Sequence, residues 1–174
     1  MKRINLVLGA AVLGFAVTGN PAWADKKTCT PGTYTLPADL SGWATPAVMT
    51  AARTPQDLSQ SQIEAGKAVR LQLAPTPDLQ FVLRPNEPGG SVSSAGMVGF
   101  AVAKKGTYRV MLGGRAWIDV VQNGHAVDST AHHHGPECSG IGKMVDFTLD
   151  EGTAVLQLSG SGKRELTVML VSVP

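Results

Sequence analysis

Short apolar runs with a two-residue period, each closed by a turn rich in glycine, proline or asparagine, recur along this chain and confine it to β structure. Val69-Arg70-Leu71-Gln72-Leu73 alternates strictly, and Gln80–Leu83 and Phe100–Val102 alternate in shorter form. Tyr108–Leu112, Trp117–Val121, Met144–Leu149, Ala154–Leu158 and Leu166–Val173 follow. Between them stand Pro85–Gly90, Lys105-Gly106, Asn123-Gly124, Glu151-Gly152 and Ser159–Gly162, all turn-forming sequences. About eight short strands at this spacing predict an all-β fold, an antiparallel β-sandwich or jelly roll. Thr45–Gly66 breaks the pattern: it is rich in Ala, Gln and Ser, contains Pro46 and Pro55, and reads as a short helix or a long loop.

The first 24 residues read as a secretory signal peptide. Lys2 and Arg3 precede an apolar core from Leu6 to Val17, and Ala22-Trp23-Ala24 supplies a small-x-small cleavage site. The apolar stretch is shorter than the roughly 20 residues of a membrane span. The mature chain is then a single domain, Asp25–Pro174, expected in the periplasm or outside the cell with no stable membrane insertion after cleavage. Without Lys2 and Arg3, the fifteen basic residues fall to thirteen, against thirteen acidic ones. That balance argues against nucleic acid as a partner. Cys29 and Cys138 are the only cysteines, and in an oxidising compartment an even pair predicts one disulfide. Once bridged, Cys138 cannot act as a thiolate ligand.

Asn123-Gly124 favours a type I′ hairpin turn, which sets a register on paper. Gln122 then pairs with His125, Val121 with Ala126, Val120 with Val127, Asp119 with Asp128, Ile118 with Ser129 and Arg115 with His132. Ile118, Val120 and Val127 form a core face, whereas Trp117, Asp119, Asp128, Thr130 and His132 share the opposite one. Two carboxylates facing each other need a cation, Arg115 or a shared proton to neutralise them.

Three of the four histidines fall in His132-His133-His134, followed by Gly135-Pro136-Glu137-Cys138. Imidazole is the commonest metal-ligating side chain. In an extended segment His132 and His134 point to one side and His133 to the other. Two imidazoles with a carboxylate suit zinc, copper, nickel or non-haem iron. The candidate metal ligands are therefore His132, His134 and Glu137, with Asp119, Asp128 and His125 as further choices.

His132-x-His134-x-x-Glu137 resembles a compressed fragment of the first cupin motif, whose His-x-His and following Glu bind iron. Here the Glu comes one position early, and no later glycine-rich segment supplies a third histidine. More broadly, Gly113–Val121, His132–Cys138 and Lys143–Phe147 resemble a family of small exported bacterial β-sandwich proteins that carry the label homogentisate 1,2-dioxygenase. The similarity spans most of the mature chain, and the label implies non-haem iron dioxygenase chemistry at the same histidines. Gly106–Val110 and Asp150–Leu156 are similar in layout to pre-peptidase C-terminal and carbohydrate-binding sandwiches, which implies a sugar- or protein-binding module with Trp43, Tyr108 and Trp117 as available aromatics. Neither a Gly-x-Ser-x-Gly elbow nor a complete phosphate-binding loop is present. The leading expectation is an exported protein that binds a divalent transition metal through its histidine-rich loop. The alternatives are an iron oxygenase and an accessory module that binds a small molecule, carbohydrate or protein.

Overall fold

A computed structural model describes Cys29 and residues 34–173. Residues 1–24, expected to be a signal peptide, lie outside the described residues. Twelve strands, numbered in chain order, form two sheets of six. In spatial order the first sheet contains β1 (Ala47–Thr50), β3 (Val69–Gln72), β12 (Glu165–Val173), β6 (Gly106–Leu112), β10 (Lys143–Leu149) and β9 (Ser129–His133). The second runs β2 (Gln62–Ile63), β5 (Ser94–Val102), β11 (Gly152–Ser161), β7 (Trp117–Gln122) and β8 (His125–Val127), with β4 (Ala74–Pro75) pairing β5 off this path.

Antiparallel pairing dominates, as the sequence predicts, but each sheet also takes in one parallel pair. Ala47–Thr50 runs alongside Val69–Gln72, and Gln62-Ile63 alongside Gly99-Phe100. Thr45–Gly66 thus holds β1, β2 and a 3-10 turn over Pro55–Gln60, begun by a Thr54/Asp57 capping box. These strands are too short to show a period.

The two sheets pack face to face. Phe100, Val110, Leu112, Val145, Phe147, Leu156, Leu158, Val168 and Leu170 interlock between them, each almost fully buried. The outer faces are covered too, which explains why β5, β11 and β12 are apolar with little alternation. On the first sheet, Met111, Met144, Met169 and Val171 pack beneath Leu40 and Trp43 of the 3-10 helix Ala38–Ala44, and beneath Ile141. The Cys29–Cys138 disulfide ties this N-terminal cover to the loop after β9, with Cα atoms 5.3 Å apart. Trp43 Nε1 donates to Ser139 O of the same loop at 3.1 Å.

The predicted strand Gln80–Leu83 does not form. It lies among residues 79–93, whose chain is pinned to β7 and β11 of the second sheet by side chains rather than by a neighbouring strand. Gln157, buried on β11, meets the backbone of Leu83 twice, accepting from its N–H at 3.1 Å and donating to its carbonyl at 3.0 Å. Ser159 Oγ donates to Glu87 O at 2.7 Å.

The hairpin follows its predicted register only part of the way. Asn123 and Gly124 have φ of 53° and 78°, as a type I′ turn requires. Gln122 pairs with His125, Val121 with Ala126 and Val120 with Val127. Beyond that point the expected pairs Asp119–Asp128, Ile118–Ser129 and Arg115–His132 are absent from the ladder. The chain leaves the second sheet at Asp128 and joins the first as β9, pairing Ser129 with Phe147, Ala131 with Asp146, His132 with Val145 and His133 with Met144. A strand that switches sheets closes a sandwich at its corner. Ser129–His133 carries no buried apolar residue that would hold it in the hairpin register.

Candidate functional site

The sheet switch creates the site. Because β8 ends at Val127, Trp117–Asp119 are paired only on the β11 side, to Ser159, Leu158 and Gln157. The sandwich therefore opens between β7 of one sheet and β9–β10 of the other. A cavity of about 140 Å3 occupies the opening, lined among others by Asn86, Trp117, Asp119, Asp128, His132 and Lys143. A larger cavity of about 660 Å3 adjoins it, bounded by Arg115, Trp117, His132, His133, His134 and Lys143 with glycine backbone between them. Trp117, His132 and Lys143 border both cavities.

Strand parity explains their positions. Lys143, Val145 and Phe147 alternate onto the inner face of β10, and His132, opposite Val145, shares that face. A lysine on the core face is thus brought to the sandwich edge. Its Nζ lies 5.5 Å from the centre of the Trp117 ring and 3.4 Å from Ala116 O. Burial pushes the Lys143 pKa down. Trp117 is 39% exposed, although it stands on a strand that is otherwise buried.

Asp119 is only 7% exposed. Its Oδ1 accepts from Asn86 Nδ2 and from Trp117 Nε1, both at 3.1 Å, which fixes the plane of the indole. Its Oδ2 is buried and has no hydrogen-bond partner among the described residues. Such an atom is costly in a folded protein and marks a site where a donor is wanted.

Asp119, Asp128 and His132 each line the smaller cavity, from β7, from the end of β8 and from β9, rather than facing one another across a hairpin. The remaining expected ligands do not join them. His125 sits at the turn end of β8, about 17 Å of strand away from Trp117. Glu137 belongs to the turn that carries the disulfide and lines neither cavity. His132 Nε2 shares a 2.9 Å hydrogen bond with Ser129 Oγ. His133, one residue on, turns to the outer face of the sheet as alternation predicts, with Nε2 3.4 Å from Asp146 Oδ2. Among the described residues no three His, Cys, Asp or Glu side chains gather into a metal-holding group. Cys138 is consumed by its disulfide.

Sequence reading passed over Lys143 and Asn86. The parity of Lys143 with Val145 and Phe147 was the available signal for the first. Nothing local pointed to Asn86, which depends on how residues 79–93 lie against β7.

No protein-family model, curated protein or solved structure matches this chain.

Behind the histidines, Arg109 Nε and Nη2 grip Asp146 with two hydrogen bonds of 2.7 and 2.8 Å. These bonds hold the Asp146 carboxyl below the ordinary carboxylate range, outweighing the burial that raises it. A carboxylate whose pKa falls on folding stabilises the protein above its unfolded value, near pH 4, and loses that contribution as pH drops through the depressed folded value. Asp146→Asn is expected to cost about 2 kcal/mol at neutral pH. The gap to the parent should close in acid, as followed by urea unfolding across that range. A gap that stayed constant with pH would contradict the assignment.

Proposed function

We propose that this protein is an exported binding module that holds a small molecule in the cleft bordered by Trp117, His132 and Lys143. The observation that carries this reading is the cavity of about 660 Å3 beside a half-exposed tryptophan at an opened sandwich edge. Its volume lies in the usual range for ligand sites, roughly 300–1,000 Å3. Asp119 orients the indole from beneath through its hydrogen bond to Nε1. Export rests on the signal-like sequence of residues 1–24, and the Cys29–Cys138 disulfide is compatible with an oxidising compartment. Among the described residues no helix is long and apolar enough to cross a membrane.

A divalent metal at His132 and His134 is the second reading, supported by the place of both residues along one cavity. Arg115 and Lys143 on the same wall work against it, because positive charges repel a cation. Iron oxygenase chemistry needs three ligands on one ion, beyond these two histidines.

The test is a tryptophan-fluorescence and calorimetric screen of untagged mature protein against saccharides and small organic acids, with elemental analysis of the same sample. A ligand that Trp117→Ala weakens at least about tenfold supports the module. Stoichiometric metal that a His132→Ala/His134→Ala variant loses, with no organic ligand bound, would replace it with the metal reading.

A further inference from the structure

We infer that the ligand is an anion, a carboxylate carried on a flat apolar face, with the carboxylate held by Arg115 and Lys143 and the face laid against Trp117. This inference rests on the binding-module reading and specifies its ligand.

The charge lining the large cavity is one-sided. Its cationic side chains are Arg115, from the β6–β7 loop, and Lys143, from β10, while the described residues lining the cavity include no Asp or Glu. This is not a reflection of the whole molecule, since the chain without its first 24 residues has as many acidic as basic side chains. The carboxylates nearby face elsewhere or are engaged. Asp146 lies on the outer face of its sheet under Arg109 and His133. Asp119 and Asp128 border the smaller cavity and not the larger one; Asp119 Oδ1 is taken by Asn86 and Trp117, and its unpartnered Oδ2 is buried.

Neither cationic side chain is paired with a carboxylate. Among the described residues Arg115 forms no ion pair, and Lys143 contacts only a carbonyl oxygen and the Trp117 ring. A half-buried ammonium without a carboxylate is destabilised by desolvation, and a bound anion would relieve that cost. A guanidinium beside it presents a planar fork matched to a carboxylate. An exposed indole stacks on the flat C–H face of a sugar ring or on an aromatic ring. The shared ligand chemistry is therefore an acid on a flat apolar face, available from sugar acids and from aromatic acids.

The experiment is isothermal titration of the mature protein, at low salt, with trigalacturonate, with its fully methyl-esterified form and with 4-hydroxybenzoate. Trigalacturonate binding identifies a sugar acid and 4-hydroxybenzoate binding an aromatic acid, and either supports the inference. The ester should bind at least about tenfold more weakly than the acid, and Arg115→Gln and Lys143→Gln should each weaken acid binding by a similar factor. Circular dichroism of both variants confirms that they fold. Equal affinity for acid and ester, or an unchanged affinity in the Arg115→Gln/Lys143→Gln double variant, overturns the anion inference and leaves the module standing. Absence of binding by every probe, while saccharides and acids in the wider screen also fail to bind, overturns both.

Discussion

Replacing Cys29 and Cys138 together with serine is expected to lower the unfolding free energy by about 4–5 kcal/mol, the largest effect of any change that leaves the core intact. The bridge joins residues 109 positions apart, so it removes a long loop's closure entropy from the unfolded chain. It also acts locally. The segment it secures carries Leu40 and Trp43 onto the outer face of the first sheet, and the loop at its other end follows His134 directly. Its loss should therefore weaken ligand binding as well as stability. Urea unfolding of the oxidised parent, the reduced parent and the serine variant measures this, and the last two should coincide. Cys138 has φ of 62°, in the left-handed region. A second variant with glycine at 138 should accordingly recover about 1 kcal/mol relative to serine, which separates backbone strain from the cross-link. A loss below about 1 kcal/mol on removing the bridge would mean that Trp43, its bond to Ser139 and the apolar cluster on the outer face of the first sheet hold the cover unaided.

Gly135→Ala is expected to cost about 2–3 kcal/mol and to disturb the cavity in the same step. A methyl group there would overlap the Ile141 carbonyl oxygen and approach the Ile141 Cβ and Cγ2 within 2.5 and 2.6 Å. Ile141 is buried against the outer face of the first sheet, and its N–H is bonded to Ser139 Oγ at 3.1 Å, so it has little room to yield. The strain falls instead on the adjacent His134. Gly162→Ala is the matched control, because a methyl group there meets nothing within 4 Å. Thermal unfolding of the two variants should differ by several degrees, and ligand affinity should fall only in the first. Equal stability of the two would contradict the close Gly135–Ile141 approach.

Legibility in the sequence followed burial. From Val69 onward, core strands were readable as alternating or apolar runs between turns, although β5 was read only over Phe100–Val102, and Asn123-Gly124 set the hairpin correctly through Val127. β1, β2 and β4, of four residues or fewer, were too short to carry a pattern. Gln80–Leu83 carried one and still formed no strand, because the Gln157 side chain takes the place of a neighbouring backbone. The crossover at Asp128 was hidden for the opposite reason, since β9 is exposed along most of its length and burial does not fix its register. The site shows the same division. Trp117, Asp119, Asp128 and His132 were singled out and all line the smaller cavity, His134 lines the larger one, and His125 and Glu137, grouped with them by chemistry, line neither. Lys143 was passed over, although a charge on an apolar face was a legible signal.

The central claim, that ligand binds where the sandwich opens beside Trp117, is tested most directly by residue-resolved NMR. Labelled mature protein would be titrated with trigalacturonate and, separately, with 4-hydroxybenzoate. The account predicts amide shifts confined to Gly114–Trp117, Ala131–His134 and Gly142-Lys143, together with the Trp117 indole N–H. Shifts centred elsewhere, such as on the hairpin tip Asn123–His125 or on Pro85–Gly90, with the Trp117 indole unmoved, would contradict it.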